Sequence, residues 1–198
     1  IASGRLAHAT ELPALAQRLG QRPVTALVPA CDVILKTVPL PGKPNRQLLQ
    51  ALPFMLEEDQ AEDIEQLLIL PAKTLEQDKQ YLQQVAVLSR QKLELWLSWL
   101  QQAGFLLQRM LPDALLLPEL DHQPVAIELA AQGAAQSQWL LKQGPWQVSC
   151  VEQSWWPEYL ALLQLPSVLS YSPWPAHVLQ PHQLAPAELP LALLARQL

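Results

Sequence analysis

Nineteen prolines against six glycines constrain this 198-residue chain more than any other feature. Proline fixes φ and donates no backbone N–H, so it ends, kinks or edges regular elements. With so few glycines, few positions accept positive φ without strain. The chain must therefore be cut into short elements. Half of its residues are hydrophobic and only 16% are charged. A chain this apolar and this long can bury a sizeable core, which excludes a disordered tract.

The elements can be placed by periodicity. Residues 1–7 read as a short strand. Thr10 is a candidate N-cap for a helix reaching Leu19, with Gly20 as its stop. Residues 23–28 form a buried strand and 33–38 an alternating one. In the latter, Val33, Leu35 and Thr37 face one way, and Ile34, Lys36 and Val38 the other. Asn45 can cap a helix over 46–59, whose apolar face comprises Leu48, Leu49, Leu52, Met55 and Leu56. Pro53 must kink or split it, because its missing N–H breaks the ladder and its ring clashes one turn back.

Residues 65–70 and 81–88 read as strands joined by a polar loop. Ser89 opens a helix over 90–103, ended by Gly104, with a Leu93, Leu97 and Leu100 stripe. A strand at 105–110 and a helical turn at 112–117 follow. Residues 124–130, 136–142 and 146–151 read as an antiparallel meander, and 157–163 as a short helix. The pattern is a mixed α/β fold. It divides into a first α/β lobe, 1–118, partial at its start, and a β-meander-rich second lobe, 119–198, with a proline-rich tail.

Charge and motifs narrow the function. The net charge is −5, and the 13 lysines and arginines are scattered, so no basic stripe exists to neutralise phosphates. That excludes nucleic acid as a partner, and an anionic membrane surface as the main one. No apolar run approaches the roughly 18 residues of a membrane span. The chain lacks an initiator Met, and Ile1-Ala2-Ser3-Gly4 reads like the end of a strand. A longer protein with an anchor outside this stretch is expected. The four histidines are dispersed, which argues against a metal site. No GxSxG, GxxxxGK[ST] or GxGxxG occurs. Neither Cys31 nor Cys150 lies in a CxxC. Two free thiols are expected, with one long-range disulfide as the alternative.

Two features remain. Glu57, Glu58, Asp59, Glu62, Asp63 and Glu65 cluster at the end of the 46–59 helix, where its dipole opposes them. Such runs are most often solvated faces. A cluster that local physics disfavours also suits a docking partner, and paired carboxylates can serve catalysis. The seven tryptophans suit cores and interfaces alike. Trp96 or Trp99 is expected in the core. The adjacent Trp155 and Trp156 must diverge, leaving at least one near the surface.

The run Leu52-Pro53-Phe54-Met55-Leu56-Glu57-Glu58-Asp59-Gln60-Ala61-Glu62-Asp63-Ile64-Glu65 resembles the "LPY-x-LEE…A-x-D-[IV]-E" stretch of type II secretion system protein L. Val28-Pro29-Ala30-Cys31-Asp32-Val33 and Val38-Pro39-Leu40-Pro41 resemble the pattern that precedes it. Leu97-x-x-Leu100-x-x-Ala103-Gly104-Phe105 and Leu111-Pro112-Asp113-Ala114-Leu115 resemble its next landmarks.

The resemblance implies an actin-like ATPase fold of ribonuclease-H-like lobes, with its first strands before Ile1. It implies a cytoplasmic domain followed by one transmembrane helix and a periplasmic domain, at the bacterial inner membrane. It further implies a homodimer in protein secretion that binds the N-terminal domain of the assembly ATPase and other inner-membrane platform proteins. The acidic cluster would then be its protein-binding site. Active members of the actin-like class carry Asp-x-Gly in phosphate-gripping hairpins. This chain has no Asp-x-Gly, and its matching turn near Leu129-Ala130-Ala131-Gln132-Gly133 lacks Asp, Ser and Thr. No cofactor and no hydrolysis are expected. A nucleotide-binding relative and a purely structural self-associating domain are the alternatives.

Overall fold

The computed structural model describes residues 6–59, 63–120, 123–129 and 137–186. In chain order its elements are α1 (Leu12–Leu19), β1 (Pro23–Val28), β2 (Val33–Leu40), α2 (Arg46–Gln50), α3 (Leu52–Leu56), β3 (Leu67–Gln77), β4 (Gln80–Ser89), α4 (Arg90–Gln102) and β5 (Leu106–Pro112). Then come β6 (Val125–Leu129), β7 (Gln138–Gly144), β8 (Gln147–Glu152), α5 (Trp156–Leu163), β9 (Val168–Ser170) and β10 (His182–Leu184).

Three sheets result. β1 and β5 pair in parallel, β2-β4-β3 is antiparallel, and β10-β9-β6-β7-β8 is mixed. No described ladder joins a strand before residue 113 to one after 124.

The two larger sheets are covered on both faces, and side-chain alternation divides the work. In β4, Val85 and Val87 face one core while Ala86 and Leu88 face the other. β2 serves both cores in turn. Val33 and Leu35 bury its odd face against Val28 and Leu88, and Val38 and Leu40 bury its even face under α3. The alternation expected of this strand is present, but Thr37 and Ile34 are exposed because each half has only one face covered. In the five-stranded sheet, Val125, Ile127 and Leu140 pack on Ala30, Ala114 and Leu117. On its opposite face Ala126, Trp139 and Leu141 lie under Trp156 and Leu160 of α5.

Several expectations need correction. The strand expected at 1–7 falls mostly outside the described residues, and 6–8 form no strand. Thr10 lies in a 3-10 turn, Ala9–Glu11, and Glu11 occupies the N-cap of α1 without a capping bond. Gly20 does stop that helix, at φ +62°. Ser89 holds the N-cap position of α4 but makes no side-chain capping bond. The polar loop expected after residue 70 is strand instead. β3 runs to Gln77 and meets β4 across a two-residue turn, Asp78 and Lys79, both at positive φ. α4 buries no residue fully, but Trp96 packs against the core of Val28, Val33, Leu35 and Leu88, as expected of one of the two tryptophans, while Trp99 is 41% exposed. Trp155 and Trp156 diverge as expected, at 66% and 0% exposure.

The cysteines are not free. Cys31 and Cys150 form a disulfide with Cα atoms 5.2 Å apart, although 119 positions separate them. The turn Ala30–Asp32 packs against β8, which brings the two sulfurs together. Proximity in space, invisible in spacing along the chain, decides the pairing.

Polar side chains pin the segment between β5 and β6. Asp113 accepts the Ala30 amide at 2.9 Å, and burial raises its pKa despite backbone hydrogen bonds that lower it. Lys142, buried in β7, donates to the Leu117 carbonyl at 2.8 Å. Desolvation lowers its pKa from the ordinary 10.5, and the nearby Glu119 opposes that shift. A depressed folded-state pKa means that the unfolded chain binds more protons. Stability linked to Lys142 is present above about pH 10.5 and is lost as pH falls through the folded value. Lys142→Met should therefore melt within about 1 kcal/mol of the parent at pH 7, because lost desolvation offsets the lost bond. The parent should gain on the variant between pH 7 and pH 10. Equal slopes in thermal melts of the two proteins would refute the buried charge.

Candidate protein-docking site

Asn45 and Pro53 build the corner that follows β2. Asn45 accepts the Leu48 amide at 2.9 Å and starts α2. Pro53 cannot donate one turn back, so the helical path divides at Ala51. Its position in the first turn of α3 costs nothing there. The expected split thus occurs, between Gln50 and Leu52.

In α3, Leu52 and Leu56 are 1% and 2% exposed and sit on Val38, Leu40, Leu67, Val85 and Val87. Those two leucines hold the corner on the sheet. Residues one or two positions from such an i, i+4 pair must point elsewhere. Phe54 is 75% exposed, and Met55, expected on the apolar face, is 37% exposed. Phe54 escaped the reading from the sequence. Its signal was present, since it lies midway between two leucines that share one helical face.

The acidic residues follow directly. Glu57, Glu58 and Asp59 form a 3-10 turn. Glu57, Glu58, Asp63 and Glu65 are exposed. Asp63 accepts the Glu65 amide at 3.0 Å and caps a second 3-10 turn, Ile64–Gln66, so part of its role is local. Glu62 lies outside the described residues. Among the described residues, none of Glu57, Glu58 and Glu65 is held in an ion pair. The corner therefore offers an exposed aromatic side chain beside uncompensated negative charge, on a buried leucine base.

The described cavities differ in lining. One of about 270 Å³ lies among Val28, Leu35, Leu88, Leu93, Met110 and Trp146, an apolar lining without convergent polar groups. Among the described residues, no group of three His, Cys, Asp or Glu side chains could hold a metal ion. Of the turn near 129–133, only Leu129 is described. Among the described residues, no helix is long and apolar enough to cross a membrane.

Comparison with known proteins agrees on one family. The family model described as type II secretion system (T2SS), protein L, matches residues 1–198. A relative from Dickeya chrysanthemi, named type II secretion system protein L, is 35% identical over 153 residues, covering 77% of this chain and 36% of its own length. A Vibrio cholerae protein of the same name is 32% identical over 156 residues, covering 78% of this chain and 36% of its own length. The chain thus spans about a third of the length of these relatives. Among solved structures, the cytoplasmic domain of EpsL, an inner membrane component of the Vibrio cholerae type II secretion system, matches with a TM-score of 0.83. That match has 27% identity and covers 100% of this chain and 82% of the other. The fold is accordingly mixed α/β and actin-like.

Proposed function

This chain belongs to the type II secretion system protein L family, and from that premise we propose that it is a non-catalytic adaptor that recruits the assembly ATPase to the inner-membrane platform. The observation that carries the reading is the α3 corner: Phe54 exposed beside Glu57 and Glu58, on a base of buried leucines. A partner with an apolar pocket and a basic rim fits such a surface. The aromatic ring supplies affinity once desolvated, and the charges steer and select. The partner in this reading is the N-terminal domain of the secretion ATPase. The exposed Asp63 and Glu65 extend the same rim, and Asp59 and Glu62 belong to the same acidic run of the sequence. The apolar cavity lining and the lack of Asp-x-Gly support a role without ATP hydrolysis. Residues 1–118 and 119–198 are proposed as its two lobes. Homodimerisation, contacts with other platform proteins and a membrane anchor outside this stretch complete the reading. The domain then works on the cytoplasmic face of the inner membrane.

Titration of the folded chain against the cognate ATPase N-terminal domain tests it. Saturable binding is expected. Combined reversal of Glu57, Glu58 and Glu62 to Lys should slow association and weaken binding roughly tenfold or more at low salt, with a smaller loss at high salt. The melting temperature should stay within a few degrees, because Glu57 and Glu58 are exposed and no charge is being placed in a described core. A folded triple variant that binds like the parent would remove the acidic rim from the interface.

A further inference from the structure

The disulfide does more than join two nearby side chains. Cys31 sits in the turn between β1 and β2, and Cys150 lies in β8, the edge strand of the five-stranded sheet. The rest of the connection is non-covalent. Ala30 donates to Asp113, and Cys31 and Cys150 pack on Ala30, Ala114, Leu117, Val125, Ile127 and Leu140. That packing does not need the sulfur–sulfur bond, so the fold can persist with either thiols or disulfide. Both cysteines are only partly buried, so neither residue is sealed in the core. A cytoplasmic setting keeps ordinary thiols reduced, so a disulfide there marks a redox-responsive pair rather than a permanent one. That last step rests on the cytoplasmic placement proposed above.

We propose that Cys31 and Cys150 form a reversible redox staple that, when closed, locks the β1–β2 corner onto β8. The oxidant is a low-molecular-weight disulfide such as oxidised glutathione. One cysteine thiolate attacks it, forming a mixed disulfide and releasing one glutathione thiolate. The second cysteine thiolate then attacks the protein sulfur of the mixed disulfide. That closes the Cys31–Cys150 bond and expels the second glutathione thiolate. Two protein thiols are oxidised and one glutathione disulfide is reduced to two thiols.

The test equilibrates the chain in graded mixtures of reduced and oxidised glutathione, quenches with an alkylating reagent and reads the intact mass. One transition is expected, from two alkylated thiols to none. The oxidised form should melt higher than the reduced form, by on the order of 10 °C, because closure constrains a long loop of the unfolded chain. The double variant Cys31→Ser with Cys150→Ser should melt independently of the buffer. If it does not fold, the parent in a phosphine reductant supplies the reduced reference. Two alkylations at every ratio, none at every ratio, or a transition without a change in melting would each overturn the proposal. ATPase binding plays no part in this titration, so failure of the adaptor reading leaves its result unaffected.

Discussion

Trp156→Ala should lower the melting temperature by on the order of 10 °C and loosen the five-stranded sheet. Trp156 is fully buried, and its ring stacks on Trp139 with centroids 4.9 Å apart and planes 9° apart. Trp174 meets both rings edge-on, at 5.5 and 5.8 Å. Leu160, Val168 and Val178 close the cluster. Removing a fully enclosed indole forfeits its transfer free energy and leaves a cavity, about 3–5 kcal/mol together. The lost ring pairs add about 0.5–1.5 kcal/mol. Against a total stability of about 5–15 kcal/mol this is a large fraction. Among the described residues, the indole N–H groups of Trp139 and Trp156 find no hydrogen-bond partner. An unsatisfied buried donor costs about 1–3 kcal/mol. Trp156→Phe discards that cost while keeping much of the apolar area, so it should melt far closer to the parent than the alanine variant. Differential scanning calorimetry of the two variants separates the effects. An alanine variant melting within 2 °C of the parent, or a phenylalanine variant as damaged as the alanine one, would contradict the packing described.

That cluster also shows where sequence and structure part. The divergence of Trp155 and Trp156 follows from helical geometry and can be read locally. That Trp139, Trp156 and Trp174 meet cannot, because they come from a strand, a helix and an irregular segment. The same division holds elsewhere. β1 ends where Pro23 and the turn after Val28 put it, Asn45 caps α2, and Pro53 divides the helical path, all from rules acting within a few residues. The hairpin at Asp78 and Lys79 was hidden because both residues adopt positive φ without the glycine that announces such turns. The parallel pairing of β10 with β9 in the proline-rich tail, and the Cys31–Cys150 bond, depend on contacts between distant segments. At the docking corner, the acidic run could be read as a run. The apolar residue beside it was legible too, in the i, i+4 spacing of Leu52 and Leu56 that turns Phe54 outward.

α3 allows fold and recognition to be tested within one five-residue element. Leu56 is 2% exposed in a core shared with Val38, Leu40, Leu52, Leu67, Val85 and Val87. Leu56→Ala should cost about 2–5 kcal/mol, because the sheet on one side and the helical backbone on the other resist collapse into the vacated space. In a chain of this size that is a fall of roughly 5–15 °C in melting temperature. Phe54, two positions away and 75% exposed, makes little contact with the core. Phe54→Ala should leave melting within about 1 °C of the parent, as surface substitutions do. Its effect should appear in binding. An aromatic anchor desolvated at the centre of an interface is worth about 2 kcal/mol or more, so affinity for the ATPase N-terminal domain should fall roughly thirtyfold, mainly through faster dissociation. Paired melting and surface-plasmon measurements give a crossed pattern if both assignments hold. Leu56→Ala loses stability, and Phe54→Ala loses affinity at unchanged stability. Should Phe54→Ala bind normally while Leu56→Ala melts early, the leucine base stands and the docking surface lies elsewhere on the molecule.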